Sequence, residues 1–150
     1  RPGLRRFMQE LMDAGIKIGV CITSNEQAAK AITRGVLSDI KFEVVLAGDV
    51  VKNKKPDPEI HSLGLSTLGL KPEEAFVVED SKNGVKAAKA AGMKVIVTTN
   101  GYTEKEDVEA GDVIVSCLGD PDGEKATMRK GGITDFDGVV RAKQLLELVG

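Results

Sequence analysis

The sequence predicts an α/β layer sandwich on a mostly parallel sheet, and three observations carry that prediction. Short apolar runs rich in β-branched residues alternate with stretches of helical periodicity, the pattern of parallel strands joined by crossover helices. One such run, Phe76-Val77-Val78, ends in the adjacent carboxylates Glu79 and Asp80, after which Ser81, Asn83 and Gly84 turn the chain into the Ala-rich stretch Val85 to Ala91. The 150 residues are 41% apolar and 29% charged, the balance of a globular domain. A domain of that length buries about 68–70% of its unfolded surface.

Taken in order, Leu4, Phe7, Met8 and Leu11 recur at helical spacing between Pro2-Gly3 and Gly15 and predict an amphipathic helix whose stripe covers a sheet. Lys17 to Ile22 reads as a buried strand, and Thr23-Ser24-Asn25 supplies caps for a helix from Ala28 to Thr33. Glu43 to Leu46 is a second strand. Asp57 and Pro58 then form the N-cap and N1 of a helix that runs to the expected C′ glycine, Gly69. Gly92 ends the Ala-rich helix, and Lys94 to Thr98 is the next strand. Asn100-Gly101 is a turn, Thr103 with Glu106 a capping box, and Val113 to Val115 a last short strand. The remainder divides into a Gly-rich loop at 119–138 and a C-terminal helix at 139–149, all within a single domain spanning 1–150.

The net charge of −2, with no Trp, one Tyr and four Phe, offers neither a basic stripe nor a stacking platform, so nucleic acid is not an expected partner. No apolar run has the length of a membrane span, and no membrane partner is expected. Cys21 and Cys117 lack the spacing of a zinc site or disulfide framework and read as free thiols of a reducing compartment. The expected location is the cytoplasm. An organelle is the alternative, because the chain begins at Arg1 rather than Met and targeting information is expected to lie in a missing N-terminus.

Three strand ends carry polar groups: Thr23-Ser24-Asn25, the loop Lys52-Asn53-Lys54-Lys55, and Glu79-Asp80. Hydroxyls and amides at a helix start bind phosphate oxygens, a lysine neutralises developing charge, and paired carboxylates hold a hard cation such as Mg²⁺. In open parallel sheets ligands bind beyond the carboxyl ends of the strands, where all three sets fall. The plainer alternative makes Asp80 a helix cap and Glu79 a solvated strand end. Lys52 and Lys54 are read as solvated, and His61 as an ordinary helix residue.

The order Thr-Ser-Asn at a strand end, Lys55-Pro56-Asp57-Pro58, then Glu79-Asp80-Ser81 with Gly84 resembles the haloacid dehalogenase-like phosphohydrolases. Ala47-Gly48-Asp49-Val50-Val51 and Gly92-Met93 point to their β-phosphoglucomutase and phosphoglycolate-phosphatase-like branch. The resemblance runs roughly from Arg1 to Leu118. It implies a Rossmann-like fold and Mg²⁺-dependent hydrolysis or transfer of phosphate on a small phosphorylated metabolite through an aspartyl-phosphate. By resemblance Lys55 and Thr23 are catalytic, Thr23, Ser24, Asn25 and Lys55 bind phosphate, and Glu79 and Asp80 hold Mg²⁺. Ile22 stands where close relatives often carry the phosphate-binding hydroxyl. The family's nucleophile, the first Asp of an Asp-x-Asp motif, and its helical cap both precede a Pro-Gly start like Pro2-Gly3, so the chain reads as an N-terminally truncated core expected to be inactive alone. Asp135-Phe136-Asp137-Gly138 spells a similar motif, but Lys130 to Thr134 lacks the apolar strand such a motif needs. Asp135 or Asp137 is expected instead to cap the last helix. The alternative reading is a non-catalytic module that binds phosphate or metal. A nucleotide-binding domain is disfavoured, since no Gly-x-Gly-x-x-Gly follows a predicted strand.

In this family the strand bearing the first motif lies between the strands that here span Lys17 to Ile22 and Phe76 to Glu79. Strands sit about 4.8 Å apart, so its loss opens a gap of about 10 Å. Both flanking strands are apolar, and the expectation is that they close up and pair in parallel. A persistent gap would mean a chain that preserves the parent geometry and is either aggregation-prone or awaits its missing N-terminal partner.

Overall fold

The computed structural model describes residues 3–22, 26–31, 34–35, 38–99, 107–133, 135–147 and 149. Its elements are α1 (Leu4–Asp13), β1 (Gly19–Cys21), α2 (Glu26–Ala31), β2 (Val44–Leu46), α3 (Glu59–Leu68), β3 (Phe76–Glu79), α4 (Lys82–Ala90), β4 (Lys94–Thr98), β5 (Val113–Val115), β6 (Met128–Lys130) and α5 (Ala142–Leu146). The strands form two sheets, β1-β2 and β3-β4-β5-β6. Every pairing is parallel except β5 with β6.

Alternation along β4 sets the layers. Ile96 faces one core with Phe7, Leu11, Val113 and Leu145, while Val95 and Val97 face another with Val85, Ala88 and Ile114. A strand sends successive side chains to opposite faces, so β4 is buried by α1 and α5 on one side and by α4 on the other. Predicted strands and observed strands coincide here, at Lys94–Thr98 and Val113–Val115.

α1 is fastened at both ends. Gly3 adopts φ 86° at its N-terminus, where a side chain would collide with the Gly119 backbone. Arg6 donates to the carbonyls of Gly119 (2.9 Å) and Val140 (2.8 Å), and Glu10 Oε1 accepts from Ala142 N at 2.9 Å. These bonds tie the C-terminal segment to α1.

Four expectations need correction. The segment 119–138 is not all loop, because Met128–Lys130 pairs antiparallel with β5. The last helix is only Ala142–Leu146, opened by Arg141, whose N–H donates to Gln144 Oε1 at 2.8 Å. Asp137 therefore does not cap it; both its carboxylate oxygens take the Arg141 guanidinium, the shorter contact at 2.7 Å, and Asp135 is an exposed residue at φ 57°.

The fourth concerns the middle of the molecule. β1 and β3 do not close up, and among the described residues no backbone hydrogen bond joins them. A cleft of about 1250 Å³ separates them, lined by both strands and by α1 and α3. Lys55 and Glu79 occupy its carboxyl end with side chains 8% and 9% exposed, and direct strand pairing would displace that buried pair. The segments Asn100-Gly101 and Thr103 to Glu106 lie outside the described residues.

Candidate active site

The site is built from the loop before α3. Lys52 N and Asn53 N donate to the Glu59 carboxylate at 2.9 and 3.1 Å, and Asp57 Oδ1 accepts from Glu59 N at 2.9 Å. These bonds fold the lysine-rich loop back onto the first turn of α3 and hold Glu59's carboxyl below its ordinary range. Asp57 performs the helix-starting role expected of it, with the boundary placed one residue later, at Pro58. Lys52 and Lys54 remain exposed, and the side chain of Lys55 turns inward.

Lys55 Nζ donates to the carbonyl of Cys21, the last residue of β1, at 3.1 Å, and to Glu79 Oε2, on the last residue of β3, at 2.6 Å. One ammonium thus bridges the carboxyl ends of two strands that belong to different sheets. The expected neighbourhood of Lys55 and Glu79 is present, and Asp80 follows, half-buried, on the cleft wall. Asp80 is not the cap of α4. Ser81 takes that place, its Oγ accepting from Gly84 N at 3.1 Å. Thr23, Ser24 and Asn25 lie outside the described residues, and Ile22 continues the β1-β2 pairing through its N–H to Leu46 O at 3.0 Å.

His61, read from sequence as an ordinary helix residue, belongs to this cluster. It is 4% exposed, with Nε2 3.5 Å from Glu79 Oε2 and without a hydrogen-bond partner among the described residues. At that separation the contact is electrostatic rather than a formed hydrogen bond. The signal that could have found it is the Asp57-Pro58 helix start, which fixes His61 in the first turn of α3. Burial by itself would raise the Glu79 carboxyl, but the imidazole and the Lys55 ammonium more than offset it and hold Glu79 below its ordinary value. Replacing His61 by Leu should therefore move the Glu79 titration to higher pH, as read by carboxyl ¹³C NMR. An unmoved titration would remove His61 from the site. Cys21 is shifted the other way: burial, aided by Glu79 and opposed by Lys55, pushes its thiol up to about 11.

Gly84 completes the enclosure. A Cβ on it would fall on the Glu79 carboxylate, so the glycine gives that carboxylate its room. Among the described residues no group of three or more His, Cys, Asp or Glu side chains is placed to share a metal ion. Mg²⁺ needs fewer, because it commonly takes one or two carboxylates and fills its octahedron with water and substrate phosphate. Glu79 and Asp80, the two carboxylates expected to hold such a cation, stand next to each other at the carboxyl end of β3 and both line the cleft. Asp135 and Asp137 do not line the cleft.

A family profile described as haloacid dehalogenase-like hydrolase matches residues 1–98. The chain belongs to the haloacid dehalogenase-like hydrolases. It is 47% identical over 127 residues to the CBBY-like protein of Arabidopsis thaliana, covering 83% of this chain and 40% of that protein. The crystal structure of CbbY from Rhodobacter sphaeroides in complex with phosphate is 38% identical, with a TM-score of 0.74 over 77% of this chain and 53% of that one. The same CbbY, carrying an Asp-to-Asn substitution, has been solved with xylulose-(1,5)bisphosphate. β-Phosphoglucomutase from Clostridium difficile matches at 25% identity and a TM-score of 0.66, over 76% of this chain and 48% of that one. The chain spans about half the length of the relatives it matches.

Proposed function

We propose that this chain is the phosphate-handling part of a Mg²⁺-dependent phosphatase or phosphomutase that acts on a small phosphorylated metabolite through an aspartyl-phosphate. The observation that carries the reading is Lys55, whose ammonium bridges the carboxyl ends of β1 and β3 beside Glu79 and Asp80. A buried cation at that place is positioned to stabilise the oxygens of a phosphoryl group as their charge changes. Thr23, Ser24 and Asn25 would complete the phosphate contacts. Asp80, with Glu79 beside it, would hold Mg²⁺, which when bound polarises a phosphoryl oxygen. The nucleophilic Asp is contributed by polypeptide outside these 150 residues. Similarity to a CbbY solved with a sugar bisphosphate favours phosphorylated sugars as the substrate class.

The purified chain is accordingly expected to give no Mg²⁺-dependent hydrolysis of p-nitrophenyl phosphate, since no aspartyl-phosphate can form on it. Turnover that disappears in Asp135→Asn would transfer the nucleophile to that loop. A second reading, a binding module without catalysis, is favoured by Ile22. Fusing the chain to the part of Rhodobacter sphaeroides CbbY that it does not match separates the two: restored turnover supports the enzyme, and bound phosphate without turnover supports the module.

A further inference from the structure

Lys52, Lys54 and Lys55 crowd one short loop, yet Lys52 and Lys54 are exposed while Lys55 turns its ammonium inward. Side-chain chemistry does not choose among them, since each carries the same charge on the same flexible stem. The path of the backbone does, and that path is held before and after Lys54. Before it, the Glu59 carboxylate takes Lys52 N through Oε2 at 2.9 Å, and both Asn53 N and Asn53 Nδ2 through Oε1 at 3.1 Å. After it, Asp57 N donates to the carbonyl of Lys54 at 3.0 Å. Successive side chains of extended backbone point to opposite sides, and Pro56 biases Lys55 towards extended geometry. With the chain held on both sides, Lys54 faces water and Lys55 faces the ends of β1 and β3. A slip of one residue would exchange them.

We propose that Glu59 is the positioning residue of Lys55: its carboxylate sets the register of the loop 52–55 and so selects which lysine delivers its ammonium to the ends of β1 and β3. Glu59 is the first residue of α3, where a carboxylate ordinarily serves the N–H groups of its own helix. This one reaches back to two backbone N–H groups of the preceding loop, and it acts on Lys55 through them. Asp57 gives the contrast, because its Oδ1 accepts from Glu59 N at 2.9 Å and so starts the helix without holding Lys52 or Asn53. What the ammonium does once in place rests on the phosphoryl-transfer reading; where it stands does not.

The test reads the lysine ammonium groups of the ¹⁵N-labelled chain by ¹H–¹⁵N NMR. A buried, hydrogen-bonded ammonium exchanges its protons slowly, and the Lys55 signal is the one that Lys55→Met removes, or Lys55→Arg where the Met variant does not fold. Glu59→Ala should speed that exchange by about tenfold or more while the circular dichroism spectrum is kept, and Asp57→Ala should leave it within about twofold. Should Glu59→Ala not fold, Glu59→Gln is read in its place. It keeps one oxygen for Asn53 and loses the acceptor for Lys52 N, and a rise of about threefold or more is expected. Three results would overturn the proposal. One is an unchanged Lys55 signal in the folded Glu59 variant, and another is an equal effect of Asp57→Ala, which would reduce Glu59 to a helix starter. The third is the lack of any slowed Lys55 ammonium in the parent. Inorganic phosphate is added to the parent alone, where a shifted Lys55 signal supports the phosphoryl-transfer reading, so failure of that reading leaves the Glu59 result standing.

Discussion

Lys55→Met should destabilise the folded chain by about 3–5 kcal/mol at pH 7, the range for removing one partner of a buried ion pair. The Lys55 and Glu79 side chains are 8% and 9% exposed, so water replaces the lost ammonium poorly. Among the described residues, Glu79 would keep the imidazole 3.5 Å away. The pH dependence has a definite sign. In the parent the Glu79 carboxyl lies below its ordinary value, so its ionised form contributes stability above the unfolded-state pKa, and that contribution is lost as pH falls through the folded-state value. In the variant burial acts unopposed by the ammonium, Glu79 takes up a proton more readily, and the deficit shrinks as pH falls. Urea unfolding of both proteins at neutral and mildly acidic pH measures this. The double variant Lys55→Met with Glu79→Leu should recover most of the loss, because it leaves no buried charge behind. Equal midpoints for parent and Lys55→Met at pH 7 would show that the pair does not form in solution.

Gly84→Ala should be destabilising by about 2 kcal/mol, although it places the best helix former inside a helix. Helix propensity alone favours the change by about 1 kcal/mol. The new methyl, however, would occupy the space of the Glu79 carboxylate, which is held by Lys55 on its other side. A free glutamate would swing away cheaply; this one can move only by leaving its ammonium. Gly132, around which a Cβ would meet nothing within 4 Å, is the control and should tolerate Ala with little change. Thermal unfolding of the two variants decides the matter. A stabilised Gly84→Ala would mean that Glu79 has room, and that the enclosure of its carboxylate is looser than the geometry indicates.

Both predictions depend on contacts between segments far apart in the chain, and that separates what was legible in the sequence from what was not. Local signals were enough where an element is defined by its own residues. The Val-rich runs at 94–98 and 113–115 are apolar on both faces and could only be buried strands, and the positive-φ glycines Gly69 and Gly92 stop α3 and α4 where a left-handed residue is needed. The neighbourhood of Lys55 and Glu79 was also legible, since both stand at strand ends of a predicted parallel sheet. Tertiary structure decided the rest. Met128-Arg129-Lys130 has no strand pattern of its own and becomes one by pairing with the edge of β5. Ser81 rather than Asp80 caps α4, because the hydroxyl reaches the Gly84 amide. His61 is a helix residue by every local measure, and it joins the site because α3 is laid against the end of β3. The cleft is the same kind of fact: the apolar character of β1 and β3 argued that they should meet, while the structure leaves a cleft between them with the buried Lys55-Glu79 pair at its carboxyl end.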